Sequence, residues 1–110
     1  MTAAAQRYWI DITGPRGTSS LEIVPGIYIL GRKSGVDIVL ADDMVSREHA
    51  RIECLGEACT ITDLNSSNGT KVSGEWLIPE EAKALAVGDV IEIDPFRLEF
   101  KATTISLTSE

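Results

Sequence analysis

The feature of this sequence that most constrains its fold is an alternation of apolar and polar residues with a period of two. In Ala50–Cys54, for example, the order Ala-Arg-Ile-Glu-Cys places an apolar residue at every second position. Because successive side chains of a β-strand point to opposite faces, this pattern predicts strands with one buried face. Short β-rich runs of this kind lie at residues 8–12, 21–23, 27–30, 37–40, 50–54, 59–62, 71–72, 76–78, 90–93 and 96–100.

Turn-forming residues separate these runs, at Gly14–Gly17, Pro25–Gly26, Asn68–Gly69 and Asp94–Pro95 among other places. Many short strands at this spacing are typical of an all-β sandwich or barrel. We expect about ten or eleven strands in two packed sheets, with function on the loops at one end. The only helical signal is Pro79–Leu85, where proline at the first position predicts a single turn of helix.

The size of the chain fits one globular domain. It has 110 residues and a mass of 11.9 kDa, and 44% of its residues are hydrophobic. No apolar run approaches the roughly 18 residues that a membrane helix needs. Residues 1–7 contain no apolar stretch of the kind found in a secretory signal. We therefore expect a cytoplasmic protein without a membrane segment.

Charge and residue counts exclude several classes of function. The net charge is −7 at pH 7, and seven acids but only two bases lie between Glu75 and Glu99. A broad surface for nucleic acid or anionic lipid is not expected, although the more balanced remainder leaves room for a local cationic site. With one histidine and two cysteines, a three-histidine zinc site is impossible, and a four-ligand Cys/His site would need carboxylates to complete it. The nucleotide-binding glycine motifs are absent, so we expect neither metal nor cofactor.

The two cysteines, Cys54 and Cys59, flank the turn at residues 55–58 and can lie opposite each other on neighbouring strands. Their positions share the apolar faces of the two runs, which favours two buried thiols in the core. A cross-strand disulfide is the alternative, but a cytosolic location argues against it.

Three polar segments between predicted strands are rich in hydrogen-bond donors: Gly31–Gly35, Asp42–His49 and Asn65–Thr70. The first segment carries Arg32 and the second carries Arg47. The second and third segments also supply hydroxyl, amide and backbone N–H groups. An arginine fork matches two oxygens of a phosphate or carboxylate, and hydroxyls and loop N–H groups satisfy the remaining oxygens. The three segments together therefore predict a receptor for an oxyanion.

In the same order, these segments resemble the motifs of the forkhead-associated (FHA) domain family. Residues 31–40 resemble its Gly-Arg…Asp-Ile-x-Leu block, residues 46–49 its Ser-Arg-x-His block, and residues 63–70 its Asp-Leu-x-Ser-x-Asn-Gly-Thr block. Gly14–Gly17 and Gly88–Ile93 also fit the family pattern. The resemblance implies a β-sandwich of about eleven strands that recognises phosphothreonine in a partner protein.

The resemblance also assigns roles to single residues. It implies phosphate contacts from Arg32, Ser46 and Arg47, and peptide contacts from Ser67 and Asn68. Structural roles are implied for Gly31, His49, Gly69 and Thr70. The chain departs from the family pattern at Ser67, where threonine is commoner, and at Ser73-Gly74, where Asn-Gly is usual.

The expected organisation is a flexible segment at 1–6, the FHA domain at 7–102, and a tail or linker at 103–110. We expect a module of a larger protein, or a monomer, that binds a phosphothreonine protein of a Ser/Thr kinase pathway and has no enzymatic activity. The alternative is an FHA-like scaffold that binds its partner independently of phosphate. A further hypothesis makes Thr103 or Thr104, once phosphorylated, a ligand for the site of its own or a neighbouring chain.

Two other interpretations of the polar segments remain open at this point. Arg32 can pair with Asp37 or Asp42 as an ordinary surface arginine. Ser46 and His49 can form a nucleophile and base, although no nucleophile elbow surrounds the serine.

Overall fold

The computed structural model describes residues 4–56 and 58–106, and within them the chain forms eleven β-strands and no helix. The described part of the chain thus offers no helix that is able to cross a membrane. The strands in chain order are β1 (Ala4–Gly14), β2 (Gly17–Ile23), β3 (Gly26–Gly31), β4 (Ile38–Val39), β5 (Ala50–Leu55), β6 (Ala58–Asp63), β7 (Lys71–Val72), β8 (Glu75–Trp76), β9 (Lys83–Leu85), β10 (Val90–Ile93) and β11 (Phe96–Ser106).

The strands form two sheets, which confirms the predicted all-β sandwich. One sheet has six strands in the order β2-β1-β11-β10-β7-β8, and the other has five in the order β4-β3-β5-β6-β9. Neighbouring strands run antiparallel except β3 and β4. The longest pairing joins β1 to β11, from Ala4 opposite Ser106 to Thr13 opposite Arg97. The two strands therefore extend a few residues beyond 7–102, and residues 1–3 and 107–110 lie outside the described part.

The core lies between the two sheets and follows the period-two pattern. In β5, Ala50, Ile52 and Cys54 are buried, whereas the intervening Arg51 and Glu53 are half-exposed. Inward-facing side chains of both sheets meet in this way, as in other aligned sandwiches. The largest fully buried apolar side chains are Phe100, Ile10, Leu30, Leu40, Ile52, Ile61, Ile91, Ile93, Leu98, Val45 and Val72.

The predicted helical turn at Pro79–Leu85 is wrong. Residues Lys83–Leu85 form β9, which pairs with β6 and places Leu85 opposite Cys59. Leu85 is buried there. Pairing at the edge of the five-stranded sheet therefore stabilises this segment more than one isolated helical turn would. Pairing with a distant strand has overridden a local proline signal.

The expectation of two free thiols is also wrong, because Cys54 and Cys59 form a disulfide. They are directly opposite each other in the β5–β6 hairpin, with their Cα atoms 4.1 Å apart. The register of the hairpin, which brings the two sulfur atoms together, decides this outcome. Both residues are buried, so the disulfide also forms part of the core.

Reduction of this disulfide is expected to lower the free energy of unfolding by about 2 kcal/mol, because the bridge closes only a short loop of the unfolded chain. Urea unfolding with and without dithiothreitol measures the difference. A Cys54→Ser/Cys59→Ser variant serves as the control, since its stability should not respond to the reductant. Equal stability of oxidised and reduced wild-type protein would contradict the expectation.

Candidate functional site

The three polar loops meet at one end of the sandwich. They are residues 32–37 after β3, 40–49 before β5 and 64–70 after β6. Leu30 at the end of β3 is opposite Ala50 at the start of β5, and Ala50 is opposite Asp63 at the end of β6. Because these strand ends lie at the same end of the sheet, the register brings the residues predicted from the sequence together.

Arg32 is anchored through its backbone N–H and its Nε, whereas its terminal Nη groups are not. Its backbone N–H donates to the carbonyl of Ser46 over 3.0 Å, and its Nε donates to the carbonyl of Val45 over 2.9 Å. Its terminal Nη groups have no hydrogen-bond or ion-pair partner among the described residues. The guanidinium fork is therefore held in place with its two-donor edge exposed and unused.

The alternative in which Arg32 pairs with a nearby aspartate is wrong. Asp37 instead accepts the backbone N–H of Ile29 over 2.8 Å. Asp42 accepts the backbone N–H of Met44 over 2.9 Å. Both carboxylates shape the loops, and neither forms an ion pair with the guanidinium in the described part of the chain.

Gly31 lies against the backbone of the loop before β5. A Cβ atom at this position would overlap the carbonyl oxygen of Arg47. Any larger residue would therefore push apart the two segments that carry Arg32 and Ser46.

The ring of His49 joins two of the three loops. Its Nδ1 lies 3.0 Å from the backbone nitrogen of Ser46, and its Nε2 lies 2.9 Å from the carbonyl oxygen of Gly69. A backbone N–H can only donate, so Nδ1 accepts, and Nε2 carries the proton and donates to Gly69. Because both ring nitrogens are engaged with the backbone, the imidazole is not positioned to remove a proton from the Ser46 hydroxyl.

Ser46 presents an unused donor. Its Oγ accepts the backbone N–H of Ser67 over 3.0 Å, which links the second and third loops. Since the oxygen acts as an acceptor in that bond, the hydroxyl hydrogen is available to an incoming anion.

Asn68 and Arg47 complete the exposed group. The Nδ2 of Asn68 donates to the carbonyl of Met44 over 2.8 Å, which leaves its Oδ1 and one N–H available. Arg47 is exposed, and its side chain has no ion pair among the described residues. The Ser67 side chain is exposed beside Asn68.

A buried carboxylate organises the third loop, and sequence reasoning did not select it. Asp63 Oδ1 accepts hydroxyl donors from Ser66 over 2.6 Å and from Thr70 over 2.7 Å. Its Oδ2 accepts the backbone N–H of Ser66 over 3.0 Å, and the Ser66 hydroxyl oxygen accepts the N–H of Gly69. The signal available in the sequence was an aspartate three residues before a serine, which is typical of a local side-chain turn.

The environment of Asp63 shifts its pKa. Burial by itself raises the pKa of this carboxyl, but the hydrogen bonds from Ser66 and Thr70 and the nearby His49 outweigh burial and hold the pKa below its usual value. The charged form is therefore the one that the folded loop requires.

Gly69 and Trp76 form a second contact that sequence reasoning missed. Gly69 has a φ of 84°, and a Cβ there would lie 2.8 Å from the Trp76 ring. Lys71 Nζ lies 4.6 Å from the centroid of the same ring, and Trp76 is exposed. The indole thus supports the outer side of the loop that carries Asn68.

Thr103 and Thr104 cannot reach the site of their own chain while β11 is formed. They are opposite Arg7 and Gln6. Strand β11 runs from Phe96, at the end of the sandwich that carries the three polar loops, towards the opposite end. Eight residues of extended strand separate Phe96 from Thr104, which corresponds to roughly 26 Å. Binding to the site of a neighbouring molecule stays a prediction.

The Asp63→Asn variant is expected to lose about 1–3 kcal/mol of unfolding free energy at pH 7, because an amide group cannot accept all three hydrogen bonds. Since the pKa of Asp63 is lower in the folded state, its contribution exists above the ordinary aspartate pKa and disappears as pH falls through the lowered value. The stability difference between wild type and variant should therefore shrink in acid. Urea unfolding at neutral and acidic pH tests this, with Asp43→Asn, an exposed aspartate, as the matched control; a pH-independent difference would contradict it.

The described residues contain no group of three or more His, Cys, Asp or Glu side chains placed to hold a metal ion. The site is instead an open surface with unused donors: the anchored Arg32 fork, Ser46 hydroxyl and Asn68 amide, and the exposed Arg47 beside them.

Comparison with known proteins agrees with this geometry. The family profile described as "FHA domain" matches residues 28–94. The glycogen accumulation regulator GarA of Mycobacterium tuberculosis is 37% identical over 87 residues, which are 79% of this chain and 52% of GarA. The chain spans 23% of the length of an FHA domain-containing protein of Arabidopsis thaliana and 58% of an oxoglutarate dehydrogenase inhibitor of Corynebacterium jeikeium.

Two solved structures extend the similarity to the fold. An FHA domain from a structural and functional study of phosphothreonine-dependent FHA interactions has a TM-score of 0.75 and 29% identity, over 86% of this chain and 95% of that one. The FhaA FHA domain, solved in complex with the intracellular domain of Rv3910, has a TM-score of 0.76 and 29% identity, over 86% of this chain and 99% of that one. Because the profile matches more than half of the chain and the fold agrees with it, this protein belongs to the FHA domain family.

Proposed function

We propose that this domain binds a phosphothreonine-containing segment of a partner protein in a Ser/Thr kinase signalling pathway. The observation that carries the proposal is the pair formed by the Arg32 fork and the Ser46 hydroxyl. Each is anchored by hydrogen bonds within the domain, and each keeps its outward donor unused.

These donors suit a phosphate group. A phosphothreonine carries about −1.5 to −2 charges at pH 7 and three acceptor oxygens. In the proposed complex, Arg32 binds two of these oxygens, Ser46 donates to one of them or to the third, and Arg47 adds a second positive charge. Charge-assisted hydrogen bonds of this kind are shorter and stronger than neutral ones.

Asn68 and Ser67 are proposed to bind the peptide itself. The free Oδ1 of Asn68 accepts a backbone N–H of the ligand, and its remaining N–H donates to a ligand carbonyl. Because Asn68 Nδ2 is tied to the carbonyl of Met44, little side-chain entropy is lost on binding.

The known relatives support a regulatory binding role without catalysis. GarA is a regulator by name, and the FhaA domain was solved with an intracellular domain of another protein. We extend this to propose a module that acts as part of a larger protein or as a monomer, without a cofactor. The backbone bonds of His49 support the absence of an acid–base pair at Ser46.

Arg32→Ala is expected to weaken binding to phosphothreonine peptides by at least about a hundredfold. Two charge-assisted hydrogen bonds are lost, each contributing about 1.5–3 kcal/mol, and about 1.4 kcal/mol corresponds to a factor of ten. The measurement is calorimetric titration with a degenerate phosphothreonine peptide pool, beside matched unphosphorylated and phosphoserine pools.

Arg7→Ala is the matched control, because it also removes one positive charge but lies on β1 near the end away from the loops. It should bind like wild type. If the folded wild-type protein binds the phosphorylated and unphosphorylated pools equally, the phosphate-independent scaffold is the correct description and the proposal fails.

A further inference from the structure

The outer face of the five-stranded sheet carries aliphatic side chains that remain exposed. Ile27 and Leu55 are 55% and 64% exposed, and Val39 is 50% exposed. Tyr28 packs against the core, so its half-buried neighbour Ile29 points to the outer face as well. The solvent face of an antiparallel sheet is ordinarily polar, so a group of exposed aliphatic residues there indicates contact with another molecule.

Two charged side chains lie beside these residues on the same face. In the register of the sheet, Ile27 is opposite Glu53 and Ile29 is opposite Arg51. Directly opposite residues point to the same side of a sheet, so the four side chains form one rectangle. Arg51 and Glu53 are half-exposed, and neither forms an ion pair or a side-chain hydrogen bond with any other residue that the structure describes. An aliphatic pair and two unpaired opposite charges are therefore adjacent.

This rectangle is complementary to a second copy of itself. A two-fold axis that lies between two facing sheets and crosses the strands at right angles reverses the strand direction of the second copy. It places Arg51 of each copy over Glu53 of the other, and Ile27 of each copy over Ile29 of the other. One operation thus matches both the charges and the apolar groups, as a self-complementary interface requires. An axis parallel to the strands would not bring Arg51 and Glu53 together.

We propose that the outer face of the five-stranded sheet binds a second copy of this chain, through β3 and β5 of both copies. The same two-fold axis brings Leu55 of each copy to the end of the contact where Val39 of the other lies, which extends the apolar contact. Two short strands per copy bury less than the roughly 1,200 Å² of a stable complex, so the domain dimerises weakly and is a monomer when dilute.

This inference goes beyond the proposed function and does not depend on it. The strand direction is reversed between the two copies, so their polar loops lie at opposite ends of the dimer. Neither set of loops is covered by the contact. The dimer therefore presents two phosphopeptide sites that face away from each other.

Charge reversal tests the matched pairs. Arg51→Glu and Glu53→Arg each convert both ion pairs of the dimer into like-charge contacts, so each variant alone should dimerise about tenfold more weakly than wild type, or weaker still. In an equimolar mixture, one variant supplies two acids and the other two bases at these positions, so a heterodimer should form at least as readily as the wild-type dimer. Sedimentation equilibrium at about 0.05–1 mM protein measures the mass, which rises from 11.9 kDa towards twice that value on dimerisation.

Arg97→Glu is the matched control for net charge. Arg97 is exposed on β11 of the other sheet and has no ion pair within the described ranges. The variant has the same net charge as Arg51→Glu, yet it should dimerise like wild type.

Ile27→Asn tests the apolar half of the contact. It should weaken dimerisation about tenfold, because the dimer contains this aliphatic side chain twice and each copy loses apolar contact area. Val87→Asn is the control, since Val87 is also 55% exposed but lies in the β9–β10 turn, outside the patch. Its dimerisation should not change.

A wild-type protein that stays monomeric throughout this concentration range would overturn the proposal, and so would a dimer that neither charge reversal weakens. Equal weakening by Arg97→Glu and Arg51→Glu would overturn it as well, because the effect would then come from net charge. A misfolded variant would not recover in the mixture, so recovery there supports the matched pairs. Arg51→Glu should bind phosphothreonine peptides like wild type; failure of wild type to bind any of them counts against the proposed function alone.

Discussion

The end of the sandwich that carries the three polar loops depends on the two backbone hydrogen bonds of the buried His49 imidazole. It accepts one backbone N–H from the loop that carries Ser46 and donates to one carbonyl of the loop that carries Asn68. Because each ring nitrogen has a different role, only one neutral tautomer satisfies both bonds. A rigid ring therefore spans the two loops, beside the Ser67–Ser46 and Asn68–Met44 hydrogen bonds that also join them.

The polar groups around this ring also divide their hydrogen-bonding atoms between two roles. Arg32, Ser46 and Asn68 each use one polar atom to fix their own position and leave another for a ligand. Asp63 is different, since its buried carboxylate accepts hydrogen bonds only from Ser66 and Thr70 of its own loop. Because these groups are already ordered in the free domain, less conformational entropy is lost in the proposed complex with a phosphopeptide.

Local patterns in the sequence predicted most of the fold, because period-two alternation and turn residues report directly on strands and their ends. They also predicted that Arg32, Ser46 and Asn68 would come together. They did not predict β9, since its formation depends on which distant strand is its neighbour. The Cys54–Cys59 bond joins two adjacent strands of one hairpin, and the expectation failed there because the assumed cytosolic location was given more weight than the geometry. The roles of Asp63 and of Trp76 behind Gly69 were missed because a buried acceptor or a supporting ring has meaning only in three dimensions.

The long β1–β11 ladder has a practical consequence for handling the domain. From Thr13 opposite Arg97, it extends away from the binding loops to Ala4 opposite Ser106. Both strands therefore leave the sandwich on the side away from the ligand. An affinity tag, a fluorophore or a sensor surface attached beyond either strand leaves the loops facing solvent, so tethered and free protein should present the same face to a peptide.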